Sequence, residues 1–276
     1  MLMDLSVELI HATVQLEQPL GDGTRTVGTG FLIASTTPDG QPRTVLVTAN
    51  HVLQRMPGAN ARIGYRISNP DGSWSYSPET LRIRDGKQEL WTHHPSRDVA
   101  AIAITAPPEF AKAAIPESYL AGDDTFQKYS VGAGDEMMAL GFPRGLAANQ
   151  AGFPILRSGR VASYPVAPAK IFPTFLLDFS VFPGNSGGPV FMMDQPRRFS
   201  AAAGQEGDGK FIAGLLTQQV ELNSERLEIG IVTHAKFIHE TIALMNDPLV
   251  ETTVAASERS VAGARAASAE EAVARD

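Results

Sequence analysis

The run Pro-Gly-Asn-Ser-Gly-Gly-Pro-Val-Phe at residues 183–191 presents a serine in a backbone that favours neither a helix interior nor a central strand. We expect a tight turn with Ser186 at its apex. The N–H groups of Gly184 and Ser186 would then point at one spot beside the serine hydroxyl. A serine nucleophile needs such an arrangement, because the hydroxyl attacks while the donors hold the resulting oxyanion. A plain surface Gly-Ser turn fits the same pattern, so the assignment depends on partner residues.

Two possible partners stand at the ends of apolar runs. The sequence from Thr44 to Leu53 reads as a buried strand that runs into His51, and a histidine delivered to a cleft can act as a general base. Asp98 opens the apolar strand that continues to Ile104. A carboxylate at the edge of such a strand is partly buried and needs a partner, which a histidine would supply. Taken singly, His51 also fits a strand-end histidine bonded to backbone, and Asp98 fits a turn cap.

Composition limits the other classes of chemistry. The chain has 276 residues, 43% hydrophobic and 19% charged, which fits one large domain or two small lobes. Its net charge of −7 and the lack of a basic run predict no nucleic-acid partner. Without cysteine there is no thiol nucleophile, disulfide or thiolate metal site. We expect no cofactor and no metal. Adjacent His93 and His94 would face opposite sides of a strand and could not share a metal ion. We expect both in the loop before Asp98, solvated there, with a substrate contact as the alternative.

The N-terminal sequence gives an expectation about location. Residues 1–15 lack a basic segment followed by an apolar one, and no apolar run is long enough for a membrane span. We therefore expect a cytoplasmic protein, with export by an unrecognised route as the alternative. The oligomeric state stays open.

The elements that must position the candidate residues are mostly short strands. Nineteen prolines and 25 glycines separate short apolar segments, a pattern typical of a β-sandwich or barrel. The first strand is predicted at residues 6–16. Helical spacing of apolar residues predicts one amphipathic helix near the end of the chain. The predicted order is a strand group at about 5–106, a connector at 107–134, a strand group at about 135–234, the helix at 235–246 and a disordered Ala/Glu-rich tail at 248–276.

Five segments carry a resemblance to a known family. They are Gly-Thr-Gly-Phe-Leu-Ile (28–33), Val-Thr-Ala-Asn-His-Val (47–52), Arg-Asp-Val-Ala-Ala-Ile (97–102), Gly-Phe-Pro-Arg-Gly (141–145) and Gly-Asn-Ser-Gly-Gly-Pro (184–189). In this order they resemble the chymotrypsin/trypsin-like serine peptidases, especially the disulfide-free bacterial branch that includes the HtrA/DegP protease domain, without a PDZ domain. The resemblance implies an all-β peptidase domain over residues 1–247, with two six-stranded antiparallel β-barrels, a cleft between them and a short C-terminal helix.

The same resemblance implies roles for the candidate residues. The chain would be a serine endopeptidase that hydrolyses a protein or peptide through an acyl-enzyme. Ser186 would be the nucleophile, His51 the general base and Asp98 the residue that orients the histidine. The N–H groups of Gly184 and Ser186 would form the oxyanion hole.

The resemblance also places a substrate pocket. Its base would lie near Ser180, and its walls would include Thr217, Gln218, Gln219 and Gly230. None of these residues is charged, so we expect small or medium uncharged side chains at the cleaved bond rather than Lys or Arg.

Asn185 departs from the pattern of the secreted trypsin-like enzymes. Those enzymes carry an aspartate just before the nucleophile, and that aspartate receives an ammonium group released by zymogen cleavage. The chain has neither this aspartate nor an Ile-Val-Gly-Gly sequence to release. We therefore expect no zymogen step, and any activation would order a loop.

Two other readings compete with this one. The pattern at Ser186 also fits the nucleophile elbow of α/β-hydrolases, with His234 or His239 as base and Asp208 as acid. A helix follows the serine in such an elbow, and Gly187-Gly188-Pro189 opposes one here. The second alternative is a catalytically silent protease fold that acts as a binding or scaffold module.

Overall fold

The computed structural model describes residues 4–193, 209–222 and 225–246, and within them antiparallel strands dominate. An open sheet comes from the N-terminal half and a closed barrel from the C-terminal half. The predicted tail at 248–276 lies outside the described residues. The helices are α1 (Leu5–Ala12), α2 (Asn50–Gln54), α3 (Pro108–Ala113), α4 (Asp123–Lys128) and α5 (Ala235–Leu244), with 3₁₀ turns at Glu117–Tyr119 and Pro143–Gly145.

The N-terminal half forms an eight-stranded sheet. Its strands are β1 (Thr13–Pro19), β2 (Arg25–Thr36), β3 (Pro42–Thr48), β4 (Asn60–Ser68), β5 (Trp74–Arg82), β8 (Thr92–His93), β9 (Ala100–Ile104) and β10 (Ile115–Pro116), while β6 (Arg84–Asp85) and β7 (Gln88–Glu89) form a separate pair. The order is β5-β4-β1-β2-β3-β9-β8, and β10 lies parallel to β2. The six-stranded barrel that the resemblance implies is not closed by hydrogen bonds in this half. The edge strands β5 and β8 do not pair with each other, and β8 has only two residues and pairs with β9.

The C-terminal half forms a closed barrel of six strands, the number that the resemblance implies. They are β11 (Glu136–Gly141), β12 (Ile155–Val161), β13 (Thr174–Asp178), β14 (Pro189–Met192), β15 (Phe211–Leu222) and β16 (Glu225–His234). The order around the barrel is β11-β12-β13-β16-β15-β14, with every pair antiparallel. The barrel therefore has no open edge along most of its length.

The first predicted strand, 6–16, is wrong over its first half. Residues 5–12 form the helix α1, and β1 begins at Thr13. The carboxylate of Asp4 accepts a hydrogen bond from the N–H of Ser6 and so caps the helix. Leu5 and Leu9 are buried four residues apart on one helical face. This spacing and the cap favour a helix over the predicted strand.

Two further boundaries differ from the prediction. The strand expected from Thr44 to Leu53 ends at Thr48, and His51 lies in the short helix α2. The connector at 107–134, expected to be irregular, contains α3, α4 and β10. In the connector, Pro108 begins α3, and Asp123 and Asp124 lie in the first turn of α4. These two helices and α2 are too short to show helical periodicity in the sequence.

Two apolar clusters fill the structure, and α5 joins its two halves. One cluster lies beneath the N-terminal sheet and the other fills the barrel. Helix α5 follows the last barrel strand directly, yet Phe237, Ile238 and Ile242 pack into the cluster of the N-terminal sheet. The chain therefore returns from the barrel to the first sheet through this helix. Among the described residues, no helix is long and apolar enough to cross a membrane.

His234, at the end of β16, is a buried histidine with an altered titration. Its side chain lies between the rings of Phe126 and Phe175, at centroid distances of 4.8 and 5.0 Å. Burial lowers the pKa of His234 to about 4, and the nearby carboxylate of Asp123 only partly offsets that effect. The imidazole is therefore neutral in the folded chain at pH 7.

This burial predicts a pH dependence of stability. The unfolded chain binds a proton at His234 below its ordinary pKa of 6.5, whereas the folded chain resists protonation down to about 4. Stability from this group is complete above pH 6.5 and falls as the pH drops toward 4. Between pH 7 and pH 5 we expect the wild type to lose about 2 kcal/mol of unfolding free energy through this group.

Urea unfolding at the two pH values checks the expectation. His234→Gln should lose less stability on acidification than the wild type, by about the same 2 kcal/mol. The control is His93→Gln, which removes an exposed histidine that has no ion pair among the described residues and should keep the wild-type pH dependence. Identical pH dependence in all three proteins would contradict the assignment.

Candidate active site

The side chains of His51 and Asp98 form a close pair. The Nδ1 atom of His51 lies 2.6 Å from Oδ2 of Asp98, and the backbone N–H of His51 donates to Oδ1 at 2.9 Å. Helix α2 has no side-chain cap from its own N-cap residue, Ala49. The carboxylate of Asp98, 47 residues further along, fills this role by accepting from the first-turn N–H groups of Asn50 and His51. One carboxylate thus fixes both the helix and the imidazole.

The environment of Asp98 keeps it ionised. Burial of this carboxyl group favours its neutral form, but the hydrogen bond and charge of His51 and the N–H groups of His51 and Asn50 outweigh burial. The net result is a lowered pKa of Asp98. An ionised Asp98 accepts from the Nδ1–H of His51, which leaves Nε2 as the basic nitrogen of the neutral ring.

The loop around Ser186 has a backbone that requires glycine on both sides. Gly184 has φ +98° and Gly187 has φ +88°, in the left-handed region. A Cβ atom at Gly184 would collide with the carbonyl oxygen of Phe142, and one at Gly187 with that of Thr29. The loop is therefore the tight turn that the sequence predicts, held against other backbone.

Ser186 and His51 line the same cavity, of about 580 Å³. The hydroxyl of Ser186 donates a hydrogen bond to the carbonyl of Thr217 at 3.3 Å. After Ser186 the chain enters the strand β14. The helix that an α/β-hydrolase elbow requires is absent from the described residues that follow, so that alternative is excluded by the fold.

The amides of Gly184 and Ser186 have no hydrogen-bond acceptor within the part of the chain that the structure describes. The orientation of the first amide has an identifiable cause. The N–H of Arg144 donates to the carbonyl of Pro183 at 2.5 Å, and this peptide bond is trans. Because the carbonyl and N–H of a trans peptide point in opposite directions, the N–H of Gly184 points away from Arg144. Arg144 itself has φ 53°.

Thr29 connects the Ser186 loop to the N-terminal sheet. Its N–H donates to the carbonyl of Ser186 at 2.9 Å, and its hydroxyl donates to the carbonyl of Gly184 at 2.6 Å. The same hydroxyl accepts from the N–H of Phe142 at 3.2 Å. Thr29 is completely buried, so water cannot replace these bonds. Our sequence reasoning noted the Gly-Thr-Gly motif but missed this threonine, whose flanking glycines are the available signal.

The residues of the predicted substrate pocket take different places in the structure. Thr217 and Gln218 line the cavity, whereas Ser180 and Gly230 do not belong to its lining. Gln219 pairs with Gly230 between β15 and β16, and its side chain lies outside the described residues. The lining instead includes several residues that the sequence did not identify, namely Arg55, Val181, Phe182, Pro183, Val220 and Ile231.

The other histidines lie away from this cavity. His94 is buried, and its Nε2 atom contacts Glu240 of α5 at 3.0 Å. His93 is exposed, His239 pairs with Glu117, and His234 is buried in the barrel. Asp208, named for the hydrolase alternative, lies outside the described residues. In the described ranges there is no cluster of three or more potential metal ligands.

The contacts of Thr29 predict a measurable cost for removing its hydroxyl. Thr29→Val keeps the shape but leaves the buried carbonyl of Gly184 and N–H of Phe142 without that partner. We expect the unfolding free energy to fall by about 1–3 kcal/mol in urea titrations. Thr29→Ser keeps the hydroxyl and is the matched control, with a smaller loss. Equal stability of the two variants would contradict the role of these bonds.

Comparisons with solved structures found proteins of similar fold. Among solved structures, a substituted form of the HtrA-type protease AlgW with a tripeptide matches at 16% identity and TM-score 0.53, over 89% of this chain and 63% of that chain. AlgW with a decapeptide matches at 14% identity and TM-score 0.52, over 88% of this chain and 67% of that one. At these identities the likeness concerns the fold. A search of the curated proteins found no match.

A family comparison covers the region of the site. The trypsin-like peptidase domain family matches residues 28–196, which is more than half of the chain. The matched range includes His51, Asp98 and Ser186 and both glycines with positive φ beside the serine. The chain therefore belongs to the family of trypsin-like peptidase domains.

Proposed function

We propose that this peptidase is a serine endopeptidase with His51, Asp98 and Ser186 as its catalytic residues. The observation that carries the proposal is the 2.6 Å pair of His51 and Asp98, formed by a histidine that lines the same cavity as Ser186. A histidine held in one tautomer beside a serine hydroxyl is the arrangement that activates a serine nucleophile.

The reaction begins with proton transfer from Ser186 to His51. Rotation of the Ser186 side chain moves its hydroxyl from the carbonyl of Thr217 toward Nε2 of His51, and Nε2 takes the proton as Oγ attacks the peptide carbonyl carbon. Asp98 stabilises the imidazolium that forms. The imidazolium then gives its proton to the leaving amine, and the carbon–nitrogen bond breaks to leave an acyl-enzyme. Water, deprotonated by His51, hydrolyses this ester and regenerates the serine.

In this proposal the N–H groups of Gly184 and Ser186 stabilise the oxyanion. Negative charge develops on the substrate carbonyl oxygen during the attack, and fixed N–H donors stabilise it without reorganisation. The N–H groups of Gly184 and Ser186 have no acceptor among the described residues, and the bond from Arg144 to Pro183 fixes one of them. This feature supports a competent site over a silent scaffold.

An extended peptide fits the strand edge next to the cavity. Strand β14 pairs with β15 only as far as Leu215, so β14 does not cover the backbone edge of Thr217 and Gln218 beyond that point. A substrate backbone can add to such an edge by β-strand pairing. The peptides in the AlgW structures belong to that protein, but they support a peptide as the class of substrate here.

Replacing Ser186 tests the proposal most directly. The wild type should cleave an unfolded protein such as casein and react with a fluorophosphonate probe, whereas Ser186→Ala should do neither. Mass spectrometry would locate both the labelled residue and the cut sites. Equal cleavage by both proteins would assign the activity to a contaminant, and a folded wild type that resists labelling would favour the silent scaffold.

Replacing Asp98 separates its charge from its shape. Asp98→Asn keeps the size of the side chain but permits the wrong tautomer of His51, so we expect kcat/KM to fall by about 10⁴-fold. Progress curves with a fluorogenic peptide would measure the loss. Asp178→Asn is the matched control, because this exposed aspartate lies on β13 and should leave the rate unchanged. A loss below tenfold for Asp98→Asn would argue against the assigned role.

A further inference from the structure

The cavity at Ser186 combines apolar walls with a cation. Val181, Val220 and Ile231 supply apolar surface, while the lining holds no carboxylate. Arg55 also lines the cavity, at the end of helix α2. Its backbone N–H donates to the carbonyl of His51 at 3.1 Å, which places Arg55 one helical turn beyond the catalytic histidine.

Two more arginines contact the ring of one aromatic residue in the cavity wall. Phe182 lines the cavity four residues before Ser186. The guanidinium carbon of Arg144 lies 5.6 Å from the centroid of the Phe182 ring, and that of Arg157 lies 5.5 Å from it. Both distances are those of cation–π contacts. Arg55 thus lines the cavity itself, and Arg144 and Arg157 contact the ring of a residue that forms part of its wall.

Several other basic residues in the described ranges are ion-paired, whereas these three arginines are not. Arg25 and Arg62 pair with Glu17, Arg84 pairs with Glu89, and Lys236 pairs with Asp123. No ion pair between described residues involves Arg55, Arg144 or Arg157. Their charges are not neutralised there, although the whole chain has a net charge of −7. Local cations around a cleft raise the affinity for anionic groups.

We propose that the cleft selects peptides in which Asp or Glu lies beside the cleaved bond, with an uncharged side chain in the cavity itself. This inference rests on the proposed peptidase function and adds a substrate class to it. The apolar walls take the side chain next to the scissile carbonyl, and the three guanidinium groups attract carboxylates on the neighbouring residues. Guanidinium groups suit this task because they remain charged and offer paired N–H donors to a carboxylate.

A matched pair of peptides tests the selection. Both carry the same apolar residue before the cut, and they differ only in Glu or Gln at the flanking positions. We expect kcat/KM for the Glu peptide to exceed that for the Gln peptide by about threefold to tenfold at 50 mM NaCl, as partly exposed ion pairs allow. The ratio should fall toward one at 500 mM NaCl, since salt screens such pairs.

Charge removal identifies the residues responsible. Arg55→Gln and Arg144→Gln should each lower the Glu-to-Gln ratio by about twofold, and the double variant should lower it further. Arg144→Gln keeps the backbone N–H that bonds Pro183, so the loop beside Ser186 retains that contact. Lys112→Gln is the matched control, because it removes one exposed positive charge on α3 and should leave the ratio as in the wild type.

The outcomes separate this inference from the proposed function. If the Glu and Gln peptides are cut equally well, or if Lys112→Gln lowers the ratio as much as the arginine variants, the acidic preference is refuted while the peptidase stands. If neither peptide is cut and Ser186 is not labelled, the peptidase function fails. Fluorescence anisotropy with Ser186→Ala then still decides the charge preference, because equal affinity for the two peptides would refute it and tighter binding of the Glu peptide would support it.

Discussion

The buried contact between Thr29 and the Ser186 loop is the constraint on which the site depends. His51, in helix α2, and Asp98, in the loop before β9, belong to the N-terminal half, whereas Ser186 precedes a strand of the barrel. Thr29, on β2, holds the carbonyls of both Ser186 and Gly184, and it also accepts from the N–H of Phe142. One residue of the sheet thus sets the position of the nucleophile loop relative to the histidine. The cost of leaving these buried groups unpaired keeps the two halves in register.

A second set of contacts, made by helix α5, supports the loop that carries Asp98. Helix α5 leaves the barrel and packs on the N-terminal sheet, where Glu240 contacts Nε2 of His94 at 3.0 Å. Nδ1 of His94 accepts from the N–H of Ser96, in the loop that leads to Asp98. The guanidinium of Arg97, which precedes Asp98, lies 5.2 Å from the ring of Phe237 on the same helix. The helix therefore supports the loop that presents the carboxylate to His51.

The candidate site residues were easier to recognise in the sequence than the residues that support them. Ser186 was recognisable because glycine spacing demands a special backbone, and the structure has positive φ on both sides of it. His51 was assigned to a strand, because a five-residue helix such as α2 has no periodicity to detect and its cap, Asp98, lies 47 residues away. The sequence also could not show whether the N-terminal sheet closes into a barrel. Whether a barrel closes depends on hydrogen bonds between strands distant in sequence, and β8 has only two residues with which to make them.

The net charge of the chain and the local charge near the cleft differ in sign. A net charge of −7 is a sum over the whole chain, and charges farther from the cleft than the screening length, about 10 Å at 0.1 M salt, contribute little to the field inside it. A substrate in the cleft lies within that distance of Arg55, whose charge no described carboxylate neutralises. The uncharged residues Thr217 and Gln218 line the cavity, while Arg55, Arg144 and Arg157, distant in sequence, come near it only through the fold. The charge selectivity that we propose is therefore a property of this assembled cleft, and the average composition of the chain points in the opposite direction.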